Sequence, residues 1–324
     1  MNNPMHLVDI LGDLQREPIR AGFGRGLKKA GEIDARVVAA CADLTDSTKM
    51  NAFAEAFPDR FVEMGIGEQD LVTVGAGLAA MGKIPFVSSY AAFSPGRNWE
   101  HIRTTICLND RPVKIIGSHA GVSVGPDGAT HQMLEDIALM RVLPNMVVIA
   151  PCDSVEAEKA TLAMARDPRP NYMRLAREGT PVITTADTPF EIGRAYVLVP
   201  GEDVTLIATG TMTYQALVAA EKLYKEGIDA EVVHVPTIKP LDAETILKSV
   251  RKTKRVVTAE EAQMHGGLGG AIAELLAEHY PAPMRFIGMQ DRFGESGEPD
   301  ELIEYFGLDA IHIQAAARQL LDAR

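Results

Sequence analysis

The 324-residue chain is poor in cysteine, poor in tryptophan and without any long apolar run. Its three cysteines, Cys41, Cys107 and Cys152, stand far apart with no Cys-x-x-Cys pair and no histidine beside them in sequence. That pattern excludes a disulfide framework and a zinc ribbon, and it suits a reducing cytoplasm. The most apolar stretch, "LVTVGAGLAAMG", is too short and too rich in glycine to cross a bilayer, and the first twenty residues carry charges throughout rather than the apolar core of a signal peptide. Positive charge is also in deficit: 32 Lys and Arg face 44 Asp and Glu, a formal net charge of −12. A non-specific nucleic-acid binder is thereby excluded, because phosphate backbones are held by Lys and Arg. A local basic pocket for a small anion is not. We therefore expect a cytoplasmic protein with neither membrane nor nucleic acid as partner.

What remains is an ordinary globular composition, 46% hydrophobic and 23% charged, in a chain long enough for two domains with sizeable cores. Short apolar, β-branched runs alternate with helical patterns throughout. "ARVVAACAD", "RFVEMGI", "PFVSS", "PVKIIGSH", "NMVVIAP" and "YMRLA" read as buried strands, and "DLVTVGAGLAAMG" and "SVEAEKATLAMARD" as helices. Continuous apolar strands between helices predict an α/β fold with a parallel sheet covered on both faces. Turn formers accumulate near 180–193 and suggest a linker. Beyond it "VTLIATG", "DAEVVHV", "KRVVTAE" and "MRFIGMQ" form a second series, with helices at about 213–226, 243–253 and 267–280 and a last one in "IQAAARQLLDAR". The expectation is two consecutive parallel-sheet α/β domains, 14–186 and 187–324.

In open parallel sheets ligands sit beyond the carboxyl ends of the strands. Polar and aromatic residues gather at those places: Asp43, Thr45, Asp46 and Ser47 after the first strand, Glu68 after the second, Tyr90, Phe93, Arg97 and Trp99 after the third, His119, Asp127 and His131 after the fourth, Arg174 and Arg177 after the sixth. One shared cleft is implied. Each residue also has an ordinary reading. Glu68 could simply complement a helix N-terminus, Tyr90 and Phe93 could be core aromatics, and Arg174 and Arg177 could pair with surface carboxylates. "HGGLGGA" has the glycine spacing of a phosphate-binding turn, and tight helix–strand packing explains it equally well.

The ordered set "ADLTDS", "GIGEQD", "SYAAF", "SHAGVSVGPDGATHQ" and "RLAREG" resembles the pyrimidine-binding domain of transketolase. "GEDVTLIATGTMTYQAL", "VTAEE", "GGLGGAIAE" and "DRFGESG" resemble the C-terminal domain of the same enzymes, so the likeness runs from about Arg16 to the end. It implies that Glu68 hydrogen-bonds the ring nitrogen N1′ of thiamine diphosphate, in an apolar setting of Val62, Met64, Ile66, Leu71 and Val72 that lets the carboxyl hold a proton. It implies that Tyr90 and Phe93 pack on the aminopyrimidine with Ile66 near it, and that His119 and His131 act on the ketose. Asp127 would read a substrate hydroxyl, and Arg20, Ser47 and Arg177 would bind sugar phosphate. The Gly-Asp-Gly motif that holds the diphosphate and its Mg²⁺ or Ca²⁺ in that family is absent from this sequence, and no metal ligand is expected on this chain. The resemblance therefore implies the C-terminal subunit of a split transketolase, inactive alone and working with an N-terminal subunit in an α2β2-type assembly. Its sister families, the β subunit of 2-oxo acid dehydrogenase E1 and deoxyxylulose-5-phosphate synthase, share the half-chain plan. The former lacks the "GPDGATHQ" pattern, and "SHAG" stands here where the latter has an Asp-Arg pair. From a different class, a non-catalytic partner subunit would fit loss of Glu68 or of the aromatics, and all are present.

Overall fold

The computed structural model describes residues 5–322. Its largest sheet has seven strands: β2 (Val37–Cys41), β3 (Phe61–Glu63), β4 (Ile84–Tyr90), β5 (Lys114–Ser118), β6 (Val147–Ile149), β7 (Asn171–Arg174) and β12 (Thr237–Lys239), in the spatial order β12-β6-β7-β5-β4-β2-β3. The six strands expected in the first half are all there and all parallel. Their periodicity is legible because both faces are covered: every residue of β2, β5, β6 and β7 is buried.

The second sheet has five strands, β9 (Tyr196–Val199), β10 (Val204–Ala208), β11 (Ala230–His234), β13 (Val256–Gln263) and β14 (Met284–Met289), in the order β14-β13-β10-β11-β9. Four are parallel and β9 is antiparallel at the edge. The expected helices occur as Met212–Tyr224, Ala243–Thr253, Leu268–His279 and Ala310–Asp322. Asp153 and Asp242 cap helices Ser154–Arg166 and Ala243–Thr253 by accepting the backbone N–H of Glu156 and Thr245 at 2.9 and 3.1 Å.

Three features were not anticipated. A small antiparallel ribbon joins β1 (Arg16–Pro18) to β8 (Gly179–Pro181). Strand β12, which lies in the second half of the sequence, pairs antiparallel with β6 of the first sheet. The helix Ile19–Ile33 has glycine at 22, 24, 26 and 31, a composition that argues against helix by propensity. Packing is what retains it: a Cβ on Gly22 would lie 1.7 Å from the carbonyl oxygen of Ser154, and one on Gly26 2.8 Å from Cβ of Thr161. The two helices touch backbone to backbone, and larger residues would separate them. Among the described residues no helix is long and apolar enough to cross a membrane.

Candidate functional site

Because β2, β3, β4, β5 and β7 run the same way, the segments following them emerge at one end of the sheet. Glu68 is the first residue of the helix Glu68–Ala80, is only 2% exposed, and does not cap that helix with its side chain. Its Oε2 accepts from Nη1 of Arg97 at 2.7 Å, and its Oε1 accepts from the Ser89 hydroxyl at 3.3 Å. Asn98 donates to the Glu68 backbone carbonyl at 2.7 Å and fixes the turn.

The apolar setting expected for this carboxyl is corrected. Leu71 and Val72 are buried, but Val62 is 39% and Ile66 77% exposed. β3 is the edge strand of the sheet, so residues leaving it face outward. The side chains that touch the carboxylate are a guanidinium and a hydroxyl.

Arg97 links this acid to an aromatic group. Its guanidinium carbon lies 4.9 Å from the centre of the Phe93 ring. Phe93 stacks with Tyr90 at 6.2 Å and meets His131 edge-on at 5.4 Å; Tyr90 in turn stacks on His119 at 3.8 Å. Nδ1 of His119 lies 2.9 Å from the Ser118 hydroxyl, and Nδ1 of His131 lies 2.9 Å from that of Thr130. His119 has a left-handed backbone (φ 59°) and is buried. Burial first, and then the charges of Arg20 and Arg177, push its pKa down to about 3, so the imidazole is neutral near pH 7.

Two cations border the rings. Arg20 donates to the backbone carbonyls of Ser47 at 2.5 Å and Arg177 at 3.1 Å. Arg177 donates to the Val124 carbonyl at 2.7 Å and lies 3.7 Å from Asp127. Burial, followed by the charge of Arg177, lowers the pKa of Arg20. Two guanidinium groups held this close are a cost that an anionic ligand would relieve. Ser47 enters through its carbonyl rather than, as its residue type suggested, its hydroxyl.

Glu68, Tyr90, Phe93, His119 and His131 thus fall into one chain of contacts through Arg97, and Arg20, Ser47, Asp127 and Arg177 into a second whose two guanidinium charges act on His119. Ile66 stands at the exposed rim. Other candidates have structural partners. Asp43 and Thr45 donate to Glu63, both at 2.7 Å. The Trp99 indole donates to the Leu139 carbonyl at 2.8 Å. Arg174, read as a cleft residue or else as a surface ion pair, is buried: it bonds Asp136 at 2.9 Å and reaches the backbone carbonyl of Glu261 in the second domain at 2.6 Å. The glycine turn of "HGGLGGA" is filled by the chain itself, since Glu260 accepts the N–H groups of Leu268 and Gly269 at 2.7 and 2.8 Å. Sequence reasoning named Arg97 without a role. Its pairing with Glu68, 29 residues away, has no local signal.

A second cluster lies between the domains. Cys152, Glu156 and His234 bring their ligating atoms within 4.8 Å of one another, all buried. Glu156 and His234 already face each other at 2.9 Å, Thr213 engages the other imidazole nitrogen at 2.8 Å, and the Cys152 N–H donates to Glu156 at 2.7 Å. Burial holds the Cys152 thiol well above its ordinary range. With imidazole and carboxylate engaged, the group ties the domains together.

Residues 17–182 match the transketolase pyrimidine binding domain and residues 193–313 the transketolase C-terminal domain. A protein of Methanocaldococcus jannaschii described as a transketolase C-terminal section is 44% identical over 307 residues, covering 94% of this chain and 95% of that protein. The 6-deoxy-6-sulfo-D-fructose transketolase subunit of Clostridium sp. strain MSTE9 is 39% identical over 324 residues, 100% of this chain and 99% of the subunit. Among solved structures, a split gene transketolase described as an inactive beta4 tetramer superposes with a TM-score of 0.88 at 46% identity, covering 94% of this chain and 98% of that one.

Proposed function

The chain belongs to the transketolase family, and from that premise we propose that it is the C-terminal subunit of a two-polypeptide transketolase. The reaction would be transfer of a two-carbon ketol unit between sugar phosphates, as in the pentose phosphate pathway, in the cytoplasm. The domains would divide at 14–186 and 187–324. The observation that carries the reading is the buried Glu68 carboxylate joined through Arg97 to the Phe93–Tyr90–His119–His131 ring cluster, with Arg20 and Arg177 beside it.

The residues present fit the pyrimidine end of thiamine diphosphate. Phe93 and Tyr90 are partly open aromatic faces beside a carboxylate whose Oε1 has, among the described residues, only the 3.3 Å contact from Ser89. When bound, that cofactor supplies the carbanion stabilisation that breaking and making a carbon–carbon bond requires. This chain would do the rest of its share by position and proton handling. Glu68 would take the ring nitrogen in place of Arg97 and share a proton with it. The aromatic faces would orient the ring. His119, neutral at pH 7, and His131 would hold and move protons on the sugar hydroxyls. Asp127 would read a hydroxyl, and Arg20 and Arg177 would hold the phosphate. Diphosphate and Mg²⁺ or Ca²⁺ would be held by the N-terminal subunit, in an α2β2 heterotetramer. The relative described as an inactive beta4 tetramer supports the need for that subunit.

The test is an assay with xylulose 5-phosphate and ribose 5-phosphate, thiamine diphosphate and Mg²⁺. The chain alone is expected to be inactive, and the chain co-expressed with a transketolase-type subunit carrying Gly-Asp-Gly to be active. Turnover by the single chain would sink the two-polypeptide reading.

A further inference from the structure

The segment 121–132 carries Asp127 and His131 and is held from both domains: Arg177 of the first reaches Val124 and Asp127, and Glu261 and Glu295 of the second reach Ser123 and Gln132. Gln132, 3% exposed, has its Nε2 within 3.1, 3.2 and 3.0 Å of the carbonyls of Val122, Gly125 and Glu295. The first two belong to the segment itself; the third lies in the 292–297 arm of the second domain. Oε1 of Gln132 is buried without a hydrogen-bond partner and abuts Gly294, where an added Cβ would lie 1.9 Å from it.

The approach is also close along the rest of the arm. A Cβ on Gly128 would meet the Ser296 hydroxyl at 2.5 Å, and one on Gly125 would meet the Gly297 carbonyl at 3.3 Å and Pro299, just past the arm, at 3.0 Å; both glycines have positive φ. At the other end, Glu261 accepts the Ser123 N–H at 2.8 Å. The arm is itself fixed on its own domain, where the Arg292 guanidinium lies over the rings of Tyr305 and Phe306 at 5.1 and 4.7 Å.

Leaving an amide oxygen buried and unpaired is destabilising. That cost is retained where the opposite end of the amide ties two chain segments and donates across a domain boundary. We propose that Gln132 is a positioning residue through which the 292–297 arm of the second domain sets the geometry of Asp127 and His131, and so the recognition of the sugar. The arm touches neither Glu68 nor the Tyr90–Phe93 pair in any hydrogen bond or ring contact among the described residues. Its route to the cofactor end runs through His131, edge-on to Phe93 at 5.4 Å and to Tyr90 at 6.2 Å, so its influence falls first on sugar binding. This inference rests on the substrate roles proposed above for Asp127 and His131.

Two measurements test it. In the isolated full-length chain, hydrogen exchange of the 122–131 amides is expected to accelerate about tenfold or more in Gly294→Ala and in Gln132→Met, while β4 and β5 amides stay protected as in wild type. In the co-expressed enzyme, both variants are expected to raise KM for xylulose 5-phosphate about tenfold, with a smaller loss in kcat because His131 also moves protons, and to change thiamine diphosphate affinity by calorimetry by less than about threefold. Gln132→Met removes the donor without adding bulk and carries the test alone if Gly294→Ala does not fold. Unchanged exchange in 122–131 would overturn the proposal, as would additive effects on KM when the two substitutions are combined, since residues acting through one contact must not add. Exchange is read without turnover, so failure of the transketolase assay would leave that arm of the test standing and would separate the two readings.

Discussion

Two regions of the molecule each contain a buried glutamate near a helix start and an arginine from the end of β7 or just past it, and they are built to opposite ends. At the cleft, Glu68 opens the helix Glu68–Ala80 after the turn Gly65–Gly67, and Arg177 lies among Asp127, Glu178 and the Val124 carbonyl, partly in solvent. At the seam between domains, Glu260 stands at the start of the helix Leu268–His279 beside Gly266 and Gly267, and Arg174 lies wholly inside. The seam groups are satisfied by backbone: Glu260 by two helix N–H groups, Arg174 by the carbonyls of Met133 and Glu261 as well as by Asp136. Backbone partners cannot swing away. Glu68 is held by Arg97, a long side chain half in solvent, which can. A buried charge closed by main chain is structural; one closed by a mobile side chain at strand ends is available for chemistry.

Substitutions can break or sharpen this contrast. Glu68→Gln should lower turnover of the assembled enzyme by about 10²–10⁴, the range for loss of a proton-transfer group, with the unfolding midpoint of the chain nearly unchanged. Wild-type rates in that variant would place Glu68 with the seam. Arg174→Ala should do the reverse. It leaves Asp136 buried without its cation and should cost about 3 kcal/mol or more in urea unfolding, and a variant as stable as wild type would show that the seam pair does not hold the domains. Arg177→Ala should leave stability alone and raise KM for phosphorylated sugars about tenfold, the value of one charge-assisted contact to phosphate; equal KM for both proteins would remove it from the anion site.

A last contrast concerns pH. Burial outweighs the two helix N–H groups and raises the pKa of Glu260 from 4.5 to about 7. Between those values the folded chain holds a proton that the unfolded chain has lost, so this group's contribution is full below pH 4.5 and falls away as pH rises through 7. The slope is at most about 1.4 kcal/mol per pH unit. In urea titrations from pH 4.5 to 7, wild type should lose stability relative to Glu260→Gln, and parallel curves would show that Glu260 keeps the same protonation folded and unfolded.

Much of the fold was legible because buried parallel strands are written as unbroken apolar runs, "PVKIIGSH" and "NMVVIAP" among them. The place of the cleft followed from what stands just past those runs. Less legible was whatever depends on approach rather than pattern. The glycines in Ile19–Ile33 disfavour helix by propensity, and only the approach of Ser154 to Gly22, invisible in the sequence, accounts for them. "HGGLGGA" shows a turn but not the glutamate, six residues upstream of Gly266, that fills it. The sequence around Glu68 shows its apolar neighbours and not that β3 is an edge strand, which turns Val62 and Ile66 outward and leaves Arg97 as the group on the carboxylate.

Strand β12 bears on how such a protein could be recombined. Thr237–Lys239 lies within the residues that match the C-terminal domain, yet completes the sheet of the other domain beside β6. A cut between the two matched regions, at 183–192, would therefore not yield two self-sufficient modules. The first would end with β6 as a bare edge, an invitation to pair with another molecule, and the second would carry a strand with no sheet. A chimaera that exchanges C-terminal domains between relatives must transplant the fit between β12 and β6 along with the domain, so the two halves are expected to have travelled through evolution as one piece.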